Sequence, residues 1–174
     1  MKVAYLAGGC FWCIESDLIK RKGIDLVVSG YMGGTKETAN YDDVCTGQTL
    51  HREVVKVTYD ETIIDYKTLV DYFFTCIDPT NPYGQFADIG PQYKTAIYYS
   101  DETEEKTALS LKTLLDESKR FIDSVVTDIL KATEFYEAEV YHQEYYKKQP
   151  IHYENYRIGS GRSGFIKLKW GDKH

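Results

Sequence analysis

The sequence predicts an α+β fold: a two-layer ferredoxin-like (split βαβ) sheet with helices on one face, plus an extra αβ unit and an irregular C-terminal tail. Three observations predict it. Short runs rich in branched and aromatic residues read as strands, apolar residues recur at helical spacing between them, and the order is β-α-β-β-α-β followed by α-β. Residues 2–7 form the opening strand, which Gly8-Gly9 breaks. Phe11, Ile14, Leu18 and Ile19 then mark a helix, stopped at Gly23. Ile24, Leu26 and Val28 alternate as a second strand. The glycines of Gly30-Tyr31-Met32-Gly33-Gly34 predict a tight turn at its end.

A polar loop leads to a third strand over residues 53–59. Asp65 can cap a helix whose stripe is Leu69, Val70, Phe73 and Phe74. Two prolines and a glycine make residues 78–84 a loop. Residues 93–99 read as the fourth strand, and Ser100 or Asp101 caps a long helix bearing Ala108, Leu111, Leu114 and Leu115. Residues 125–130 read as a fifth strand, residues 138–148 as the last helix, and the tail from about 150 as irregular. With no repeat or linker, residues 1–174 are expected to form a single catalytic domain.

The composition, 43% hydrophobic and 28% charged, is that of a globular protein with a real core. A net charge of -6 gives no grip on nucleic-acid phosphate or on an anionic membrane surface. No apolar run approaches the ~20 residues that span a bilayer. The opening Met1-Lys2-Val3-Ala4-Tyr5-Leu6-Ala7 is too short for a signal sequence, so a cytoplasmic location is expected. In a reducing compartment the four cysteines, Cys10, Cys13, Cys45 and Cys76, are catalytic, metal-binding or simply buried.

The most informative run is Gly8-Gly9-Cys10-Phe11-Trp12-Cys13, where a strand gives way to a helix. Backbone N–H groups and the helix dipole stabilise an anion at such a place, so a cysteine there is expected to have a lowered pKa. Spacing alone leaves four readings open: an inert buried cysteine, dithiol exchange through Cys10 and Cys13, a metal- or redox-sensing module with zinc on Cys10, Cys13 and Cys45, and a cysteine hydrolase using His51 or His142.

Gly9-Cys10-Phe11-Trp12 is similar to the signature of the A-type peptide methionine sulfoxide reductases. Further family-like segments follow in order: Gly30-Tyr31-Met32-Gly33-Gly34, Tyr41-Asp42-Asp43-Val44-Cys45-Thr46-Gly47, His51-Arg52-Glu53-Val54-Val55, Asp78-Pro79-Thr80, Asp88-Ile89-Gly90-Pro91-Gln92-Tyr93 and Tyr141-His142-Gln143. The resemblance covers most of the chain. It implies thiol-dependent reduction of methionine S-sulfoxide, free or in proteins, to methionine.

It also implies roles. Cys10 is the nucleophile that becomes a sulfenic acid, and Glu53 the general acid kept protonated by burial. Tyr31 and Tyr93 bind the sulfoxide oxygen, Asp88 lines the same pocket, and Phe11 and Trp12 wall an apolar slot for the S-methyl group. His51, His142 and Cys76 are expected to be structural, as is Cys45 in such enzymes. The expected partners are peptide or protein methionine sulfoxide and thioredoxin or another external thiol, with no bound cofactor or metal, and the expected state is a monomer. Many relatives carry recycling cysteines in a glycine-rich tail. Here no cysteine follows Cys76, and Cys13, one helical turn from Cys10, is the candidate resolving thiol. The rival reading is a dithiol-disulfide oxidoreductase using Cys10 and Cys13.

Overall fold

The computed structural model describes residues 1–171 and 174. Its elements, in chain order, begin with strand β1 (Lys2–Ala7), helix α1 (Phe11–Leu18) and strand β2 (Ile24–Met32). A short helix α2 (Tyr41–Cys45) precedes strand β3 (Arg52–Tyr59) and helix α3 (Tyr66–Phe74). The two-residue strands β4 (Gly84–Gln85) and β5 (Asp88–Ile89) pair as a hairpin. Strand β6 (Ala96–Tyr99), helix α4 (Glu102–Glu117) and strands β7 (Asp128–Lys131) and β8 (Tyr136–Glu137) follow. Helices α5 (Tyr145–Lys148), α6 (Pro150–Gly159) and α7 (Arg162–Trp170) end the chain.

The main sheet runs β7-β6-β1-β3-β2-β8. β1 and β2 both lie antiparallel to β3 between them, so they are parallel to each other with a strand inserted, which is the split βαβ arrangement. The α4–β7 unit adds a parallel strand beside β6, as the sequence predicts. β1 shows why the layers form. Ala4 and Leu6 point to the core shared with Ile14, Leu18, Phe73 and Leu111, while Tyr5 and Ala7 join a smaller cluster around Met32, Val54 and Tyr98 on the other face. Each fully buried aliphatic side chain of the first set contributes about 1.5–3 kcal/mol.

Local chemistry sets the helix starts. Asp65 Oδ1 accepts from Thr68 N–H at 2.8 Å, and Asp101 Oδ1 accepts from Glu104 N–H at 2.8 Å. Elsewhere the structure departs from the sequence reading. β2 does not turn at Gly30 but continues to Met32, because Gly30 pairs with Glu137 and lies against Phe135 and the Tyr136 carbonyl, an approach a Cβ would block. The fourth strand starts at Ala96, since Pro91–Tyr93 is a 3-10 turn, and the fifth is displaced to Asp128–Lys131.

The largest corrections concern the C-terminal third. Residues 138–148 are not one helix but a 3-10 turn, Val140–His142, and the single turn α5. The Gln143 side chain holds this segment open by bonding Ser29 N–H (2.9 Å), Ser29 O (2.8 Å) and Ala138 O (3.0 Å). The tail from 150 is not irregular; it folds into α6 and α7, with Pro150 at the first helical position of α6.

Candidate active site

Gly9 (φ 84) turns the chain out of β1 under Gln85, whose Cβ would stand 2.6 Å from any Cβ at this position. Cys10 is therefore delivered to the cap position of α1, where its carbonyl accepts from Cys13 N–H (3.2 Å) and Ile14 N–H (3.4 Å). Its side chain is 6% exposed. It opens into a cavity of about 90 Å³ lined by Cys10, Phe11, Trp12, Tyr41, Glu53, Asp88, Tyr93 and Tyr156. That is well under the ~300 Å³ of pockets that hold a whole small ligand, so the cavity takes the end of a side chain.

β3 brings Glu53 to this cavity. It precedes the inward-facing Val55 and Val57, and one carboxylate oxygen accepts from Phe11 N–H at 3.0 Å, locking the acid to the first turn of α1. Burial pushes the Glu53 carboxyl up to about 8, against the Phe11 hydrogen bond and with help from Asp88 and Cys13. It is a carboxylic acid at neutral pH. Burial also raises Asp88, which accepts from the Tyr156 hydroxyl.

The thiols depart from the expectation of a simple low-pKa Cys10. Burial raises the Cys10 thiol, with Cys13, Glu53 and Asp88 adding to the effect. Cys13 is lowered to about 7, first because the Cys10 thiol donates to it and then by Arg162 and Arg157. The two sulfurs thus share one proton, and the pair loses its first proton near neutrality. On this balance the charge rests on Cys13, and Cys10 can carry it at the cavity only by passing its proton to Cys13.

Two other sequence-predicted residues, Phe11 and Trp12, are placed in the cavity lining. Phe11 lines the cavity and is 1% exposed, serving core and wall at once. Trp12 stacks on Tyr145 (centroids 3.8 Å, planes 9° apart), and its indole N–H donates to His142 Nδ1 at 3.0 Å. His142, read from the sequence as structural, touches Phe11, Trp12 and Tyr41 from behind. Burial lowers it to about 4, so it stays a neutral acceptor.

Tyr31 is the correction. It is fully buried behind Phe11 (centroids 5.8 Å), and its hydroxyl donates to Glu139 Oε1 at 2.9 Å, outside the cavity lining. Glu139 also accepts from Tyr41 N–H at 2.9 Å, so Tyr31 supports the site from behind, through Phe11 and through the loop that carries Tyr41. Tyr41 and Tyr156 were missed as lining residues. Tyr41 begins a family-like segment and could have been weighed beside Tyr31; nothing in the local pattern points to Tyr156. Tyr93 lines the cavity as expected.

Cys13 is fully buried beside Cys10 and Tyr153, whereas Cys45 is exposed on α2 with its thiol next to the Tyr41 and Tyr93 hydroxyls. Cys10, Cys13 and Cys45 do not converge as metal ligands. Among the described residues the one group of three such side chains is Asp17, Cys76 and His174, where Arg157 already stands 3.1 Å from Asp17 Oδ2. No described helix is long and apolar enough to cross a membrane.

Residues 2–174 match the family described as peptide methionine sulfoxide reductase. The chain is 49% identical to the peptide methionine sulfoxide reductase MsrA of Bacillus subtilis (strain 168) over 172 residues, 99% of this chain and 97% of the relative. It is similar to the reduced form of Mxr1 from Saccharomyces cerevisiae, with TM-score 0.81 at 31% identity and 86% of each chain covered. It shares its fold with Mxr1 in complex with Trx2, with TM-score 0.57, 22% identity, and 83% and 84% of the two chains covered.

Proposed function

This chain belongs to the peptide methionine sulfoxide reductase family and reduces methionine sulfoxide to methionine at the expense of thiol, repairing oxidised proteins; we propose how its residues divide that work. Cys10 attacks the sulfoxide sulfur as thiolate while Glu53 delivers its proton to the oxygen, and Tyr41 and Tyr93 donate hydrogen bonds to that oxygen as charge builds on it. The bond formed between Cys10 and the substrate sulfur and the substrate S–O bond then both break as the oxygen passes to Cys10, leaving a sulfenic acid there and releasing methionine with its sulfur reduced by two electrons. Phe11 and Trp12 hold the methyl group, and Asp88 with Tyr156 closes the polar side.

The observation that carries this assignment is a buried, neutral carboxylic acid bonded to the backbone beside the nucleophile and sharing its cavity. Dithiol exchange needs no such acid. Cys13 then closes a disulfide on Cys10, releasing water, and thioredoxin reopens it; the crystallised pairing of Mxr1 with Trx2 supports that choice of reductant. The protein works in the cytoplasm as a monomer and needs no prosthetic group. A cavity that fixes methyl, oxygen and lone pair together is chiral and takes one epimer, and the resemblance to the A-type reductases makes that the S epimer at sulfur. Incubation of each diastereomer of a methionine sulfoxide peptide with dithiothreitol tests this: turnover of the S form alone is expected, and equal turnover of both refutes the arrangement.

A further inference from the structure

The tail lacks a cysteine, yet it carries the most deeply buried cation among the described residues. Arg162, at the start of α7, is 1% exposed. No carboxylate among the described residues forms an ion pair with it. Its guanidinium donates instead to Cys76 O (2.8 Å) and Gly8 O (2.9 Å) and lies over the Phe86 ring at 4.7 Å. Its tail neighbour Arg157 is conventional, with Asp17 Oδ2 3.1 Å away and the Tyr153 hydroxyl at 3.2 Å. A fully buried arginine is rare without an anion, because hydrogen bonds to neutral carbonyls solvate the charge but do not cancel it.

The position of Arg162 says where the anion is. Its Nη2 bonds the carbonyl two residues before Cys10 and would stand 3.1 Å from a Cβ on Gly9, which puts the charge at the strand–helix junction that carries the thiols. The groups facing the thiol pair there are Asp17 on α1, Glu53 on β3, Asp88 on β5, Tyr153, Tyr156 and Arg157 on α6, and Arg162 on α7. Asp17 is matched by Arg157, Glu53 is neutral, and Asp88, on which Arg162 also acts, is raised by burial and held by the Tyr156 hydroxyl, so Arg162 faces the thiol pair across the junction with Asp88 beside it.

We propose that Arg162 is the counter-ion of the Cys13 thiolate and thereby a positioning residue for the recycling half of the reaction. This rests on the reading that Cys13 resolves the sulfenic acid. In that step the Cys13 thiolate forms the S–S bond to Cys10, the S–O bond of the sulfenic acid breaks, and the departing hydroxide takes up a proton and leaves as water. Cys13 is oxidised, the sulfenic sulfur is reduced, and the disulfide is later reopened by the dithiol of the reductant. Where relatives use the tail to supply a thiol, this tail supplies the charge that ionises one already in α1.

The test uses the full chain in a Cys10→Ser background, where Cys13 is the only thiol of the pair, and follows thiolate ultraviolet absorbance against pH relative to Cys10→Ser/Cys13→Ser. Arg162→Gln should move the Cys13 titration alkaline by about one unit, and Arg162→Lys should restore most of it. With Cys10 intact, one equivalent of sulfoxide should release methionine more slowly in the Arg162→Gln protein near pH 7, because ionisation of the pair also supplies the Cys10 thiolate, and the Cys10 sulfenic acid should then accumulate. Loss of the second thiol from that sulfenic acid should be about fivefold slower near pH 7 and recover as the pH rises. An unmoved titration overturns the proposal, as does equal slowing by Lys and Gln, or loss of the second thiol from the accumulated sulfenic acid at the parent rate. Should Arg162→Gln not fold, the Cys10→Ser protein alone decides: a Cys13 that titrates above an ordinary thiol with Arg162 in place overturns it. Unchanged thioredoxin-dependent turnover in Cys13→Ser sinks the resolving role separately, whatever the titration shows.

Discussion

Glu53→Gln replaces a proton donor with a near-isosteric amide that can still accept from Phe11 N–H. At pH 7 a carboxyl of pKa about 8 is roughly nine-tenths protonated, against roughly 0.3% for one at the ordinary 4.5, so burial supplies about 300-fold more acid. The wild-type rate of methionine release in a single turnover should therefore be bell-shaped, rising as the thiol pair ionises near 7 and falling as Glu53 ionises near 8. The variant should lose about 10²–10⁴-fold in that step and lose the alkaline limb with it. Stability gives a second readout. The folded-state pKa lies above the unfolded value, so the native protein holds the extra proton between about 4.5 and 8. Wild-type stability should fall by roughly 1.4 kcal/mol per pH unit across that window relative to the variant. Urea unfolding of both proteins from pH 5 to 8 measures the difference. A variant that keeps near wild-type rate, or stability curves that stay parallel, refutes the reasoning.

Cys10→Ser should release no methionine even in a single turnover, because a hydroxyl at that position is far less ionised than a thiol; any burst would count against it. Tyr41→Phe and Tyr93→Phe should each slow methionine release, by up to about 10²-fold if the hydroxyl stabilises the developing charge. Tyr31→Phe should leave that rate within about twofold but destabilise the fold by about 1 kcal/mol through the lost Glu139 bond, so rate and urea midpoint together separate the two kinds of tyrosine. His142→Phe leaves the Trp12 indole N–H without its acceptor and should cost about 1–3 kcal/mol, measured by denaturant unfolding.

Elements with strong local signals were legible in the sequence. The aspartate caps before α3 and α4, the glycine break after β1 and the alternation of Ile24, Leu26 and Val28 in β2 lie within a few residues of what they determine. The tail was not. Gly159, Gly161 and Gly164 read as irregular, but Gly161 (φ 91) merely separates two helices, and a Cβ at Gly159 or Gly164 would meet nothing within 4 Å. What makes α6 and α7 helical is the packing of Tyr153, Ile166 and Arg162, which no local propensity encodes. Residues 138–148 fail as a helix for a similar reason, since Gln143 takes its partners from a strand more than a hundred residues earlier. The site divides along the same line: Cys10, Phe11, Trp12 and Glu53 were readable from their motifs, while Tyr156 reaches the cavity only because the tail folds back.

That return of the tail gives the protein a vulnerable period during its own synthesis. Cys10 and Cys13 leave the ribosome early, but β1, their support, is an inner strand that stays unpaired on both sides until β3 and β6 have been made. Tyr153, Tyr156 and Arg162, which cover the thiols and balance their charge, come at the other end of the chain. At about 5–20 residues per second the interval from Cys10 to Arg162 is about 8–30 s. Throughout it the nascent chain carries two open thiols three residues apart with neither cavity nor counter-charge. A catalyst that answers oxidative damage is thus itself most easily oxidised before it is finished, and cells making it under peroxide should accumulate the Cys10–Cys13 disulfide on incomplete chains.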